Sequence, residues 1–228
     1  MSGKIMVANP YSGTKQTGSF RIDLHVHTAF GSACAELHDP DTLPDSMEKH
    51  GLDGVVVTEH NLLWPGEKII GINRRLPKHR RLYRGIEVST SHCHVVVIGL
   101  DSFQGIYPGM PPERLVEHAE KEQAVTILVH PCLNGLDLGC NGPWGFHGME
   151  VASTMTRGDF RRKTLVLCRQ HHTLPVAGSD AHCSENLGKA FTCFPFLPVD
   201  EKELALMIRQ GLGVPMVIEP GGEARVVC

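Results

Sequence analysis

Short apolar runs alternate with longer amphipathic stretches along most of this sequence. Runs of strand length predict strands at residues 22–26, 54–58, 85–89, 94–100, 125–129, 149–152 and 175–177. Apolar positions at helical spacing predict helices at residues 40–50, 112–122, 159–170 and 201–210. A regular alternation of strands and helices is typical of the α/β fold class.

The number of strands favours a barrel. An open, doubly wound sheet is the alternative, and a glycine-rich nucleotide loop after the first strand would indicate it. The first strand is instead followed by residues 27–30, His-Thr-Ala-Phe. Because no repeat or linker interrupts the pattern, we predict an N-terminal extension at residues 1–20 and a single barrel domain at residues 21–228.

Composition adds one strong signal, a high histidine content. The chain has 14 histidines, and neither end carries a run of them that would indicate a purification tag. Neutral imidazole is a common metal ligand near neutral pH, so this number favours metal binding. The eight cysteines form no CxxC pair and have no regular spacing, which predicts reduced thiols.

Net charge and the N-terminal segment set expectations for partners and location. The 22 Lys and Arg against 25 Asp and Glu give a net charge of −3, so we expect no obligatory nucleic-acid partner. A small phosphorylated substrate or a nucleotide remains compatible with local positive charge, including metal. Residues 1–20 hold no sustained apolar stretch, so we expect no signal peptide, no membrane partner and a cytoplasmic location. No pattern predicts an oligomeric state.

Candidate metal ligands stand at almost every predicted strand end. In residues 23–27, Asp-Leu-His-Val-His, His25 and His27 project from one strand face because strand side chains alternate with a period of two. Later strands carry Glu59, His60, Glu87, His92, His94, His130, Asp180 and His182. Each motif alone has a plainer explanation, such as a turn or a helix cap. Barrels collect their chemistry at the carboxyl ends of the strands, so the whole set predicts a metal site.

The order of these motifs resembles that of the polymerase and histidinol phosphatase (PHP) superfamily. The resemblance covers about residues 21–196, and its most specific parts are residues 23–28, 51–54 with 58–61, and 178–182. It implies a distorted (β/α)7 barrel with a metal cluster at the carboxyl ends of the strands. It also implies the activity of a metal-dependent phosphoesterase.

The resemblance further implies two or three divalent ions, which would be zinc, manganese or iron. It assigns to the first metal His25, His27, Glu87 and Asp180; to the second Glu87, His94 and His130; and to the third His60 and His182. Glu87 would bridge the first two metals. Two such cations lower the pKa of a bridging water from 15.7 toward roughly 7, so a metal-bridging hydroxide is the expected nucleophile on a phosphoester.

Two positions depart from the family pattern. The loop at residues 30–36 lacks the Asp or His that usually completes the third site, so Cys34, Glu36 or water is the candidate replacement. Glu59 stands where the family commonly has Asp. His92 is an alternative to His94, because residues two apart share a strand face.

Further candidates are expected to act on the substrate. Glu59 and His182 are the candidates for protonating the leaving group, and Asp180 is grouped with them as a catalytic residue. Arg75, Arg80 and Arg157 are candidates for binding extra phosphate groups, although a solvated charge run is the simpler interpretation.

Two other functions remain open at this point. One is an amidohydrolase-like hydrolase of C–N bonds, since that group also opens with HxH on a first strand. The other is a catalytically silent regulatory module that holds metal, which the incomplete third site favours. Turnover would separate the silent module from both hydrolases.

Overall fold

Ten strands and five α-helices occur in the part of the chain that the structure, a computed structural model, describes, residues 19–131, 145–156 and 158–227. The strands are β1 (Phe20–Val26), β2 (Gly54–Val57), β3 (Arg81–Ser89), β4 (His94–Ile98), β5 (Val125–Leu128), β6 (Gly148–Ala152), β7 (Leu174–Ala177), β8 (Ala190–Phe194), β9 (Val214–Ile218) and β10 (Ala224–Val226). The α-helices are α1 (Leu43–His50), α2 (Gly66–Asn73), α3 (Pro112–Lys121), α4 (Asp159–His171) and α5 (Glu201–Arg209). Among these described residues, no helix has the length and apolar character needed to cross a membrane.

The strands form one mixed sheet that curls into a half-barrel. Its order is β10-β9-β8-β1-β2-β3-β4-β5-β6-β7. β1, β2 and β3 are parallel, as are β5, β6 and β7, whereas β4 runs antiparallel between the two groups. The far edge curls back, so that β7 lies against β1, β8 and β9. A bridge between Val26 and Ala181 then joins the ends of β1 and β7.

Both faces of the sheet are buried, which explains its nearly continuous apolar strands. All residues of β2 are buried. Val55 and Val57 pack in a core with Leu43 of α1. Val56 packs in a different core with Tyr83 of β3. Each buried valine contributes roughly 1.5–3 kcal/mol, so the central strands form a rigid base for the residues at their ends.

The sequence-based strands correspond to β1 through β7, but two expectations need correction. Strict alternation of strand and helix fails at β3 and β4, because only residues 90–93 separate them. A parallel pair needs a crossover of a dozen or more residues, so this short connection permits only an antiparallel hairpin. The pattern also missed β8, β9 and β10, which extend the sheet beyond β1 in antiparallel pairs.

Candidate metal centre

The two histidines of β1 meet at the carboxyl end of that strand. His25 and His27 are fully buried, at 1% and 0% exposure, and their Nε2 atoms lie 3.1 Å apart. The predicted alternation of side chains therefore places both imidazoles on one face. The backbone N–H of His27 donates to the carbonyl of Ala181 at 2.9 Å, which holds this strand end against the segment after β7.

Glu87 of β3 is the central carboxylate of the cluster. It is fully buried, and its two oxygens face different histidines. Oε1 lies 3.0 Å from Nδ1 of His94 and 3.1 Å from Nε2 of His130. Oε2 lies 2.8 Å from Nδ1 of His60, 3.2 Å from Nε2 of His27 and 3.6 Å from Nε2 of His25. Five predicted histidine ligands thus surround one carboxylate.

Asp180 and His182 reach the cluster from the loop after β7. Oδ1 of Asp180 lies 3.5 Å from Nε2 of His25 and 3.4 Å from Nε2 of His27. Nδ1 of His182 lies 3.6 Å from the same oxygen. Asp180 has φ of 55° and His130 has φ of 34°, left-handed conformations that are uncommon without glycine and often occur at functional sites.

Gly178 permits this loop to approach β1. A Cβ atom at position 178 would lie 2.7 Å from both the backbone nitrogen and Cβ of His25. No side chain fits at that distance, so glycine is required for Asp180 to reach the histidines of β1.

Asp23 binds the backbone of the same loop, a role that the sequence did not reveal. Its carboxylate accepts backbone N–H bonds from Ser179 at 2.7 Å and from Gly188 at 2.9 Å. Burial raises the pKa of Asp23 to about 6, although the hydrogen bonds oppose this rise. Asp23 therefore connects β1 to both ends of the loop that carries Asp180.

Glu150 of β6 orients His25 and was also missed. This buried carboxylate lies 3.0 Å from Nδ1 of His25 through Oε1, and its Oε2 accepts the backbone N–H of His130 at 3.1 Å. Because an ionised carboxylate only accepts, the proton of neutral His25 lies on Nδ1 and the lone pair on Nε2. An acidic residue inside an otherwise apolar strand was the signal for Glu150 in the sequence.

Ser32 orients His27 in the same way, with Glu59 behind it. Nδ1 of His27 lies 3.1 Å from the Ser32 hydroxyl, and that hydroxyl donates to Glu59. Glu59 also accepts the backbone N–H of Thr28 at 3.1 Å and Nε1–H of Trp64 at 3.0 Å. Both oxygens of Glu59 accept hydrogen bonds from these donors, and none of these contacts supports its predicted role as a proton donor to the leaving group.

The arrangement of donors and acceptors fits a metal site. With their Nδ1 atoms used as donors, neutral His25 and His27 turn lone pairs toward each other and toward the carboxylates of Glu87 and Asp180. Acceptors at these distances repel unless a cation or protons lie between them. Oε2 of Glu87 and Nδ1 of His60 are buried without a hydrogen-bond partner, although they lie 2.8 Å apart.

Three subsets of these side chains can place one ligand atom each within 4.8 Å of one another. They are His25, His27 and Asp180; His60, Glu87 and His94; and His27, His60 and His182. Mixed imidazole and carboxylate ligands suit zinc, manganese and iron. The residues present therefore fit a cluster of divalent cations.

The carboxylates and histidines of the cluster shift one another's pKa values strongly. Burial disfavours the ionised form of Glu87, but His25 and hydrogen bonds from the surrounding histidines outweigh it and hold the pKa well below its usual range. Burial likewise opposes the charged form of His25, yet Asp180, Glu150 and Glu87 raise its pKa well above the usual value. Protons would therefore compete with a cation for these nitrogens.

The remaining candidates lie around or away from the cluster. Burial and the negative charges of Asp180, Glu87 and Glu59 raise the pKa of the exposed Cys34 thiol, which places it near the cluster. Glu36 is exposed, and His92 is exposed with Nδ1 2.7 Å from the Ser91 hydroxyl.

Arg75 and Arg80 are each paired with an acidic side chain, and their role in binding extra phosphate groups stays a prediction. α2 carries the chain back from the cluster, and Arg81 pairs with Gly54 at the opposite end of the sheet. Arg75 lies 3.5 Å from Asp41, just before α1, and Arg80 lies 3.3 Å from Glu48 near the end of α1. Arg157 lies outside the described residues.

The fold of this chain resembles that of several known proteins. Residues 159–211 match the PHP-associated family PHP_C. PsfC from Pseudomonas syringae PB-5123 aligns with a TM-score of 0.59 at 20% identity over 83% of this chain and 87% of PsfC. A two-domain Bacteroides vulgatus protein containing a predicted PHP-like metal-dependent phosphoesterase aligns with a TM-score of 0.66 at 16% identity, over 87% of this chain and 64% of that protein. The family match covers less than a quarter of the chain, and the structural alignments show that the chain shares the fold of these proteins. No curated protein matches it.

A third solved structure changes one expectation about partners. The lesion-specific endonuclease PfuEndoQ from Pyrococcus furiosus aligns with a TM-score of 0.64 at 15% identity, over 88% of this chain and 58% of the endonuclease. Endonuclease Q in complex with a 27-mer duplex containing an abasic lesion aligns with a TM-score of 0.60. The inference from net charge against nucleic acid was therefore wrong, because a protein with this fold binds DNA at its active site.

Proposed function

We propose that this chain is a metal-dependent hydrolase that cleaves phosphoesters with two or three divalent cations. The observation that carries the proposal is the set of converging acceptor atoms on His25, His27, Glu87 and Asp180. The half-barrel is then a distorted (β/α)7 barrel whose mouth holds the cations. The contacts of β7 with β1 support this arrangement.

The candidate ligands can be divided among three cations. His25, His27, Asp180 and Oε2 of Glu87 would hold one cation, while Oε1 of Glu87 with His94 and His130 would hold a second. His60 and His182 would serve a third. Glu87 is suited to bridging because its two oxygens face different histidines. The bound cations would lower the pKa of a water toward about 7 and neutralise phosphoryl oxygens.

His182 is the remaining candidate for moving a proton to the leaving group. Its side chain is one-third exposed, and Nδ1 lies 3.0 Å from the backbone carbonyl of Asp180, to which it donates. When no third cation occupies Nε2, that atom can exchange a proton with substrate or solvent. Burial lowers the pKa of His182, which favours a neutral ring, so Nε2 would have to take up a proton before passing one to the leaving group.

Metal analysis combined with hydrolysis assays tests this function. We expect two or more manganese, zinc or iron ions per chain, and turnover of p-nitrophenyl phosphate, bis(p-nitrophenyl) phosphate or an abasic-site DNA duplex. His25→Ala and Asp180→Ala should lose both bound metal and at least about 100-fold in kcat. His79→Ala, an exposed histidine at the opposite end of the sheet, is the matched control and should keep both.

Three results would contradict the proposal in different ways. Failure to bind metal after reconstitution would remove the metal centre itself. Metal binding with hydrolysis of amide but not phosphoester substrates would favour the amidohydrolase-like alternative. Stoichiometric metal without any turnover would favour the silent regulatory module.

A further inference from the structure

Phe30, Trp64 and Lys68 form an aromatic and cationic cluster beside the metal centre. Phe30 lies in the loop after β1, Trp64 lies between β2 and α2, and Lys68 lies on α2. Phe30 donates its backbone N–H to the Thr28 hydroxyl at 3.3 Å, and both Thr28 and Trp64 donate to Glu59. The Phe30 cluster, as we call these three residues, is thus fixed to the network that orients His27.

The two rings of the Phe30 cluster differ in exposure. Their centroids are 5.0 Å apart with an interplanar angle of 62°, an edge-to-face contact. Trp64 is 1% exposed and Phe30 is 42% exposed. The buried indole therefore forms a rigid support, and the phenyl ring presents apolar surface to solvent near the metal ligands.

Lys68 adds a positive charge, and its N–H groups remain available as hydrogen-bond donors. Its Nζ lies 4.3 Å from the Phe30 ring centroid and 4.9 Å from the Trp64 ring centroid. Contact with two ring faces holds the ammonium in place without using its N–H groups in conventional hydrogen bonds. Within the described residues, no carboxylate lies at ion-pair distance from Lys68.

We propose that the Phe30 cluster binds the nucleotide unit adjacent to the phosphoester that is cleaved. The base stacks on Phe30 and Lys68 binds a neighbouring phosphate, a combination used widely for single-stranded nucleic acid. This inference rests on the proposed phosphoesterase function and narrows its substrate to nucleotides. Free nucleotides and polynucleotides offer the same chemistry, so the experiment separates them.

A second lysine and phenylalanine pair provides a matched control. On α4, Nζ of Lys163 lies 5.9 Å from the ring centroid of Phe160, which is 39% exposed. Phe160 is about as exposed as Phe30, although Lys163 is more exposed than Lys68, and among the described residues no hydrogen bond or ion pair joins this pair to a metal ligand. Phe160→Leu and Lys163→Met therefore measure the effect of losing an ordinary surface pair.

The test measures the affinity of the metal-loaded protein for a fluorescent phosphorothioate oligo(dT) of eight nucleotides. Fluorescence anisotropy reports the binding. Phe30→Leu and Lys68→Met should each weaken binding about tenfold, while both control variants stay within about twofold. Lys68→Met should also reduce the slope of log K against log salt by about 0.7, whereas Phe30→Leu should leave it unchanged. Circular dichroism and metal content establish that each variant is folded, and Lys68→Gln replaces any Lys68→Met protein that is not.

Competition by thymidine monophosphate identifies the source of the nucleotide. Displacement of the oligonucleotide at similar concentrations supports a free nucleotide, and binding that persists supports a polynucleotide. Failure of the wild type to bind, or equal binding by the Phe30 cluster variants and the controls, would overturn the inference. Because binding is measured without turnover, loss of hydrolysis with retained Phe30-dependent binding would reject only the proposed reaction.

Discussion

The hydroxyl group of Ser32 connects Glu59 to the metal centre through hydrogen bonds. It accepts from His27 Nδ1 and donates to Glu59, so it fixes the tautomer that offers Nε2 to a cation. Ser32→Ala should lower metal affinity about 10- to 100-fold and cost about 1–3 kcal/mol of unfolding free energy, because a buried acceptor loses its donor.

Chelator competition and urea unfolding measure these two effects. Ser32→Thr keeps a hydroxyl and should recover most of the affinity, while Ser102→Ala, an exposed serine, should change neither quantity. Unchanged metal affinity in Ser32→Ala would show that the hydroxyl does not orient His27.

Substitution of alanine for Gly178 and for Gly71 should change the stability of the fold in opposite directions. At position 178 a Cβ meets the backbone of His25 at 2.7 Å, whereas at position 71, within α2, nothing lies within 4 Å. Gly178→Ala should destabilise the fold by about 1–3 kcal/mol and weaken metal binding. Gly71→Ala should stabilise it by about 0.5–1 kcal/mol, because alanine is the better helix former. Urea denaturation measures both, and equal effects would contradict the close approach at Gly178.

At the scale of elements, His147 contacts both β5 and α3, and its protonation should make the free energy of unfolding depend on pH. Its Nδ1 accepts the backbone N–H of Thr126 at 3.2 Å, and its Nε2 lies 2.6 Å from Glu120. Burial and the charge of Arg209 lower its pKa below the usual value. The unfolded chain therefore takes up the proton first as pH falls through about 6.5, and the folded state loses stability there.

Comparison with His147→Gln isolates this contribution. We expect the wild type to lose more unfolding free energy than the variant between pH 7.5 and pH 5 in urea titrations. His79→Gln changes an exposed histidine and should keep the pH dependence of the wild type. An identical pH dependence in His147→Gln would contradict the assignment of a neutral, partly buried imidazole.

The sequence was most informative where a short-range pattern determines structure. Apolar runs located β1 through β7, and the HxH spacing placed His25 and His27 on one face. Contacts between distant segments were beyond such patterns, because nothing local indicates that Glu150 meets His25 or that Ser32 lies between His27 and Glu59. The ion pair of Arg80 with Glu48 is a further contact of this kind, since it depends on how α1 and the segment before β3 pack together.

For the whole molecule, the cluster concentrates repulsive acceptors that a cation would relieve. A ligand that binds only the folded state at 100 times its Kd adds about 2.7 kcal/mol of stability. For a chain of this size each kcal/mol raises Tm by roughly 2–4 °C, so metal loading should raise Tm by roughly 5–10 °C over chelated protein. Differential scanning fluorimetry measures the shift. Asp180→Ala should reduce it, and an equal shift in that variant would place the stabilising ion elsewhere.

The bridge between Val26 and Ala181 also determines when the site can exist during folding. Ligands of one cation come from His25 near one end of the described chain and from Asp180 more than a hundred residues later. Contacts of such long sequence separation form slowly, because the intervening chain must first be ordered. A cation therefore has no complete site in an early intermediate and cannot serve as a template for collapse. We therefore expect a cation to bind only after the end of β1 has met the segment that follows β7.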